Sequence, residues 1–445
     1  MKIRYFIFLC IFTSCIYGYF LYIHNKKTEV LLNEQNKNLD KIINNKMYSN
    51  EVTKKKKKLK LYSKASVLYD VKGKRYLYGE NENLKLPMAS TTKIMTCIIA
   101  IESGMLEDVV EFSEYASSMP NVQLHANKGE KFILKDLLYS LMLESHNDSA
   151  VAIAEHIASE YLKKNIMKDI KITNYNDIQS KKLVDIYATI MNIKAKEIGA
   201  INTNFVTPNG LDADEHYTTA LDLAKIASYA IKNEEFLKIT NTKYYNITST
   251  EGKSYNLHNR NSFLTMYDGA IGCKTGYTSK AGYCFVGAID KDEYKLVSVV
   301  LAAGWPPNKN YKWLDTKNLM DYGVKNYKSS HFIINNKKLG LNDIRVYNGQ
   351  EESVGIYINE KFDMLCNKMD EFRYEVVLPK LLVAPLEKNK IVGVCNIYLN
   401  GSIYKRYFIK TRKSIETKDL LYYISNLCDG FLLKWENMYA NTLTL

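Results

Sequence analysis

The sequence predicts an α/β (α+β) body over residues 61–328 followed by a small all-β domain over residues 329–418. Three observations carry this. A hairpin pattern opens the body and three strand patterns close it, so one sheet draws strands from both ends. Between them lies a helix apolar on nearly every face. After residue 326 the texture changes to short alternating segments separated by turn residues.

The chain has 445 residues, 46% hydrophobic and 24% charged, with 61 Lys+Arg against 48 Asp+Glu for a net charge of +13. That composition excludes wholesale disorder and a collagen-like repeat and gives room for two or three domains. The positive charge draws the molecule toward anionic surfaces: lipid headgroups, wall polymers or nucleic acid. Eight cysteines, none in a CxxC pair, make neither a disulfide scaffold nor a zinc framework, and no HExxH occurs, so no metal and no cofactor is expected.

At the N-terminus Lys2 and Arg4 precede an uncharged run of nineteen residues, Tyr5 to Ile23. This reads as a signal or membrane anchor over residues 1–27, with an uncleaved anchor preferred to cleavage and lipidation at Cys15 third. Lys26 and Lys27 balance Lys2 and Arg4, so flanking charge does not set the orientation. Residues 28–60 are polar, lack apolar periodicity and end in the lysines 54–58 and 60, which reads as a tether, a solvated linker in preference to one held by its lysines against anionic lipid or wall polymer.

Residues 65–70 and 75–78 around a Lys72-Gly73-Lys74 turn read as a hairpin. Ile94, Cys97, Ile98 and Ile101 then recur at helical spacing up to Gly104, and Met95, Ile99 and Ala100 make the other faces apolar too, which predicts a buried central helix. Residues 134–143 and 148–162 read as two helices, the second capped by Asn147 or Asp148. Residues 163–185 form a polar excursion, and helical patterning resumes over 190–198 and from Thr219, where Thr219 to Asp222 resembles a capping box. Residues 271–277, 283–289 and 294–302 read as strands, the run Leu296 to Leu301 being covered on both faces. In the tail, residues 344–347, 353–358, 373–378 and 391–399 read as strands. Residues 419–445 read as an amphipathic helix on a surface or on the domain itself.

Three short motifs bear chemistry. In Ser90-Thr91-Thr92-Lys93 the serine and lysine stand about one helical turn apart and share a face. A desolvated lysine at the positive end of a helix, near other cations, has its pKa pulled down and can act as a base toward a serine nucleophile. The same helix start offers backbone N–H groups, that of Ser90 included, to an oxyanion. In Ser145-His146-Asn147, placed in an interhelical turn, a hydroxyl can relay a proton and a carboxamide can both donate to and accept from a peptide. In Lys274-Thr275-Gly276, on a strand, lysine and hydroxyl would fix a carboxylate while glycine lets an extended peptide approach the edge.

In this order and context the motifs resemble the SxxK, SxN and KTG set of the penicillin-recognising serine enzymes. The segments Pro87 to Thr96, Asn209-Gly210-Leu211 with His216 to Ala224, and Tyr267 to Cys284 are similar to those of the low-molecular-weight D-alanyl-D-alanine carboxypeptidases. Residues 60–325 carry the resemblance, and the β-rich tail, with Ala384-Pro385-Leu386, resembles that family's C-terminal domain. The resemblance implies a penicillin-binding transpeptidase/β-lactamase-like fold, an antiparallel sheet flanked by helices with a helical subdomain. It implies Ser90 as acylated nucleophile, Lys93 as base, Ser145 as proton relay and Asn147 as substrate contact. Lys274 and Thr275 would bind the substrate's terminal carboxylate beside Gly276, with the Tyr277 backbone as second oxyanion donor. The implied partners are peptidoglycan stem peptides as substrate, β-lactams as covalent inhibitors and a membrane through the N-terminal segment, with no nucleic acid; the implied location is outside the cytoplasm. The chain departs from the family in carrying His146 where a small residue is usual and in the polar segment 163–185.

Blander readings stand beside these. His146 lacks a triad partner in sequence and reads as a surface histidine. His216 reads as support for the turn before the Thr219 helix, and Cys273 and Cys284 as small core residues. The competing functions are a β-lactamase, for which the Glu-x-x-Leu-Asn segment of class A enzymes is absent, and a catalytically idle wall-binding protein.

Overall fold

A computed structural model describes residues 18–19, 22–23, 26–41, 58–164 and 180–442. The chain forms two compact units, one comprising Lys56–Ser330 with Asp363–Asn367, the other built around His331–Phe362 and Lys368–Leu445 and including residues 26–41. Residues 26–41 form helix α1, with Thr28, Gln35 and Leu39 buried along one face. This part of the polar stretch is therefore folded, where the lack of apolar periodicity had suggested a solvated tether. Its buried positions are seven and four residues apart, a helical repeat carried partly by Thr and Gln, and Gln35 Oε1 accepts from the Val383 N–H at 2.9 Å. Most of the apolar run from Tyr5 lies outside the described residues, and among those described no helix is long and apolar enough to cross a membrane.

In the first unit β1 (Ala65–Asp70) and β2 (Arg75–Glu80) form the expected hairpin. A single turn of 3₁₀ helix, Ala89–Thr92, runs directly into α2 (Lys93–Glu102), whose residues from Lys93 to Ala100 are all buried. Then come β3 (Val109–Glu111), α3 (Glu114–Ser117), β4 (Lys131–Ile133) and α4 (Leu134–Tyr139). The last opens into a π-helical turn, Ser140–Glu144, before α5 (Asn147–Lys163). The cap of α5 is the extended residue His146 and makes no side-chain cap bond; Asn147 and Asp148, read as caps, are inside the helix because their side chains are committed elsewhere. α6 (Ser180–Ile198) starts ten residues before the apolar pattern that signalled it, α7 (Ala220–Ala230) is capped by Thr219 as expected, and α8 (Glu234–Asn241) follows. Residues 165–179 of the polar excursion lie outside the described residues.

The strands β5 (Tyr244–Thr248) and β6 (Ser254–His258) and helix α9 (Phe263–Met266) lead to β7 (Ala270–Thr278), β8 (Gly282–Lys291), β9 (Tyr294–Leu301) and α10 (Tyr311–Asn326). The main sheet has the order β2-β1-β9-β8-β7 with every pairing antiparallel, so both ends of the body meet at β1 and β9 and β7 is left as an edge. Strand alternation sends Val67, Val286, Val297 and Val299 into a core with α2, α5 and α7, and Leu68, Phe285, Leu296 and Val300 into a second core with α10. The Leu296 to Leu301 run is apolar except for the buried Ser298 because it faces both.

The second unit contributes β10 (Lys328–Asn335), α11 (Asn336–Leu339), β11 (Ile344–Tyr347), β12 (Ser353–Val354), β13 (Ile356–Tyr357) and β14 (Asn359–Cys366), the first and last of which also reach into the ranges of the first unit. β15 (Phe372–Val377), β16 (Leu381–Val383), β17 (Ile391–Leu399) and β18 (Ser402–Thr411) complete it. The segment read as one strand over 353–358 is two, β12 pairing with β11 and β13 with β18. α12 (Leu420–Thr442) exposes Leu421, Ile424, Leu427, Phe431, Leu432, Leu433 and Trp435.

Because α2 is the centre of the first core, Ile98→Ala, which empties a fully buried site there, is expected to cost about 2–5 kcal/mol in urea unfolding.

Candidate active site

The 3₁₀ turn that carries Ser90 begins at Ala89, a non-glycine residue with φ +49°, and ends where Lys93 starts α2. Lys93 is fully buried, and three oxygens surround its Nζ: Asn147 Oδ1 at 2.8 Å, the Asn209 carbonyl at 2.5 Å and Ser90 Oγ at 3.0 Å. The amide of Asn147 is oriented by its own Nδ2, which donates to the Pro120 carbonyl at 3.0 Å, so its oxygen faces the lysine. Two of the three neighbours can therefore only accept, and the third is a hydroxyl that can also donate. A neutral amine has two N–H bonds and one lone pair. With those two protons given to Asn147 and Asn209, the lone pair of a neutral amine is directed to Ser90 Oγ, whose hydroxyl also has the Asn209 carbonyl at 3.4 Å.

Burial first, and then the charge of Lys274, hold the Lys93 pKa well below the usual lysine range, against a smaller opposing effect of Asp148. Lys274 is itself nearly fully buried on edge strand β7, and burial brings it down to about 7. Its Nζ donates only to the neighbouring Thr275 carbonyl, at 3.2 Å, among the described residues. Strand β7 runs against the serine turn: a Cβ on Gly276 would lie 2.9 Å from Ser90 N and 3.1 Å from Thr91 N. The backbone of the serine turn and that of the strand are thus in close contact next to Ser90. Thr275 is half-buried opposite Phe285, and Tyr277 is 41% exposed with its ring 4.7 Å from that of Tyr283. Cys273, next to Lys274, and Cys284 are buried as expected, their thiols pushed up to about 12 by burial.

The turn with Ser145 sits beside Lys93 through Asn147. Ser145 ends the π-helical turn in the left-handed region, φ +73°, and among the described residues its Oγ makes no hydrogen bond. The Asn147 N–H donates to the Val122 carbonyl at 2.7 Å, and the buried Asp148 carboxylate accepts from the N–H groups of Leu124, His125 and Ser149. Both residues thereby hold segment 119–126 against the turn, which is why neither caps α5.

Two histidines differ from their sequence reading. His146 is not a surface residue: it is 4% exposed, with Nδ1 2.8 Å from the buried Ser140 Oγ and Nε2 3.5 Å from Glu144 Oε2. His216 reaches beyond its own turn, accepting from Val206 N at Nδ1 (2.9 Å) and placing Nε2 2.9 Å from Thr92 Oγ1, which donates to the Ala89 carbonyl. Burial lowers its pKa to about 4, so the neutral ring braces the strained residue before Ser90.

A functional group that residue-type reasoning missed is the Asn209 carbonyl, since any residue has one. The signal that could have found it is the glycine after it. Gly210 has φ +83°, and a Cβ there would lie 2.0 Å from the Ala89 carbonyl, so the 208–210 backbone must press against the serine turn. Thr96 Oγ1 donates to the Pro208 carbonyl at 2.6 Å, and Thr278 Oγ1 on β7 donates to Asp212, so α2 and the edge strand clamp this segment from two sides.

A family model described as D-alanyl-D-alanine carboxypeptidase matches residues 51–171 and 184–304, and one described as the C-terminal domain of penicillin-binding protein 5 matches 327–417. A D-alanyl-D-alanine carboxypeptidase, DacF, of Bacillus subtilis is 28% identical over 352 residues, 77% of this chain and 82% of the relative. The D-alanyl-D-alanine carboxypeptidase of Streptomyces sp. K15 is 30% identical over 259 residues, 56% of this chain and 82% of the relative. Among solved structures, penicillin binding protein 5 from Haemophilus influenzae superposes with TM-score 0.64 at 25% identity, covering 81% of this chain and 100% of its own. The Streptomyces K15 DD-transpeptidase superposes with TM-score 0.52 at 28% identity, covering 60% of this chain and 99% of its own.

Gly199 and Gly210 allow the crowding around Ala89 to be measured. Both have left-handed backbones, but a Cβ at Gly199 meets nothing within 4 Å. Gly199→Ala should cost about 1 kcal/mol of strain, and Gly210→Ala clearly more, by urea unfolding; equal costs would mean the backbone against Ser90 is not tightly seated.

Proposed function

The chain belongs to the D-alanyl-D-alanine carboxypeptidase family of serine peptidases and is a penicillin-binding protein, and on that premise we propose which of its residues carry the reaction. The enzyme removes the terminal D-alanine of peptidoglycan stem peptides, and so works outside the cytoplasm. Ser90 is the nucleophile and Lys93 its base. The observation that carries this is the set of partners around Lys93, which leaves the lone pair of a neutral amine only the Ser90 hydroxyl to take a proton from. An idle wall-binding protein would have no need of a buried amine so placed.

In acylation the Lys93 lone pair takes the Ser90 proton as Oγ bonds to the carbonyl carbon of the penultimate D-alanine. The developing oxyanion is held by the N–H groups of Ser90 and Tyr277. Ser145, whose Oγ makes no hydrogen bond among the described residues, gives its proton to the nitrogen of the departing D-alanine as the C–N bond breaks and takes one from the Lys93 ammonium, which returns to the neutral amine. Lys274 and Thr275 grip the terminal carboxylate, Asn147 contacts the peptide, and Gly276 lets the substrate lie along β7 close to Ser90. Water then attacks the acyl-enzyme and restores the serine. A β-lactam follows the same first step, but its leaving nitrogen stays tethered and the adduct persists.

We assign this chemistry to residues 61–328 and read 329–418 as a separate β-rich domain. We also propose membrane association through the N-terminal apolar run, supported at the other end of the chain by the exposed apolar side chains of α12.

A labelled penicillin should mark the wild-type enzyme and not Ser90→Ala, with D-alanine release from a D-Ala-D-Ala peptide lost in parallel; equal labelling would refute the nucleophile. The two lysines predict a bell-shaped pH dependence of kcat/KM. Lys93 must be neutral, so activity falls as acid protonates it. Lys274 must be charged to bind a carboxylate, and its free-enzyme value of about 7 makes activity fall above that pH. Lys274→Arg, whose charge persists, should move the alkaline limb upward even if the overall rate drops.

A further inference from the structure

The turn that carries Ser145 and Asn147 is built around a side chain to which the reaction gives no role. We propose that His146 is a positioning residue for acyl transfer, its ring wedged between Ser140 and Glu144 so that the residues on either side of it are held toward the reacting groups. The inference rests on the reading of Ser90 as the acylated residue.

Its ring sits in a closed socket. Nδ1 is 2.8 Å from Ser140 Oγ, which is 2.7 Å from Ser149 Oγ, and both serines are fully buried. Nε2 lies 3.5 Å from Glu144 Oε2. A carboxylate facing Nε2 favours the tautomer with its proton there, so Nδ1 accepts from Ser140, whose oxygen in turn accepts from Ser149. Every hydroxyl along this line then has a direction. Glu144 extends it outward, with Oε1 accepting from the His258 N–H at 2.8 Å and Arg260 beside it, while the Arg260 N–H donates to the Leu143 carbonyl. The turn is thereby tied on one side to α5 and on the other to the segment leaving β6.

The consequence falls on the two flanking residues. Ser145 has φ +73°, a region that costs a non-glycine residue about 1 kcal/mol. Relaxing it to an ordinary value would swing the next side chain, the His146 ring, out of its socket. Asn147 follows directly, and the same motion would carry its Oδ1 away from Lys93 Nζ and its N–H away from Val122. A side chain without reach at position 146 would therefore loosen the relay hydroxyl and the lysine's acceptor together, while leaving Lys274 on its own strand untouched.

The test compares full-chain wild type, His146→Ala and His146→Asn. For each, the acylation rate by a labelled penicillin, kcat and KM for a D-Ala-D-Ala peptide, and Tm are measured. The asparagine amide can stand where Nδ1 stands against Ser140. His146→Ala should acylate ~10- to 100-fold more slowly, with the loss in kcat and KM within about twofold, and His146→Asn should recover most of the rate. Wild-type rates in His146→Ala, or equal losses in both variants that follow Tm, would overturn the proposal. A wild-type enzyme that is not itself acylated would instead overturn the functional reading beneath it.

Discussion

Everything at this site depends on keeping one amine dry. Lys93 is fully buried in the first turn of a helix whose every face is covered, and a charged lysine there would cost several kcal/mol unless paired. Among the described residues no carboxylate touches it. Its neighbours are two neutral acceptors and one hydroxyl, none of which carries the negative charge that a buried ammonium would need. The fold therefore favours the neutral amine, the form in which we propose Lys93 acts, by withholding a counter-ion. Lys274, a second buried cation acting on it, pushes in the same direction. In the roles proposed for them the two lysines divide the work that way: one is kept neutral to take a proton, and the other, brought down to about 7 by burial, can be driven to full charge by a bound carboxylate.

Two strained residues stand next to the reacting groups. Ala89 and Ser145 both have positive φ, and each immediately adjoins or carries a proposed catalytic hydroxyl. Neither is held by its own side chain. His216 braces the first through Thr92 and the Ala89 carbonyl, and His146 braces the second through Ser140. In each case a buried neutral imidazole does the holding, its pKa brought to about 4 chiefly by burial. A neutral ring offers one donor and one acceptor at fixed angles, which suits it to lock a turn whose backbone would otherwise relax.

Much of this was legible in the residues. The apolar stripe around Lys93, the hairpin and the strand run covered on both faces each rest on periodicity, and periodicity survives into the fold because it reports which faces are covered. The motif order placed Ser90, Lys93, Asn147 and Gly276 in one cluster. Residue type misled where a polar side chain was recruited by something distant in sequence. Asn147 and Asp148 have cap chemistry, but Lys93 and segment 119–126 claimed them first. His146 showed no triad frame because its partners are the Ser140 hydroxyl and the Glu144 carboxylate of the turn that precedes it. Helix α1 was hidden because its buried face is partly polar.

The Asn209 carbonyl belongs to a different class of omission. A backbone oxygen carries no residue identity, so no motif can announce it; only its surroundings can. Those surroundings are Gly210, which alone can let the chain pass beneath Ala89, and two threonines, Thr96 and Thr278, that fasten the segment to the helix and to the edge strand. Asp212, on the far side of the same loop, receives Thr278, so the backbone that faces the base is positioned jointly by the element bearing the lysine and the element that grips the substrate. A displacement of β7 would then reach the Lys93 amine through the Thr278–Asp212 bond and the Asn209 backbone, which ties the geometry of the proposed proton transfer to the strand proposed to hold the substrate.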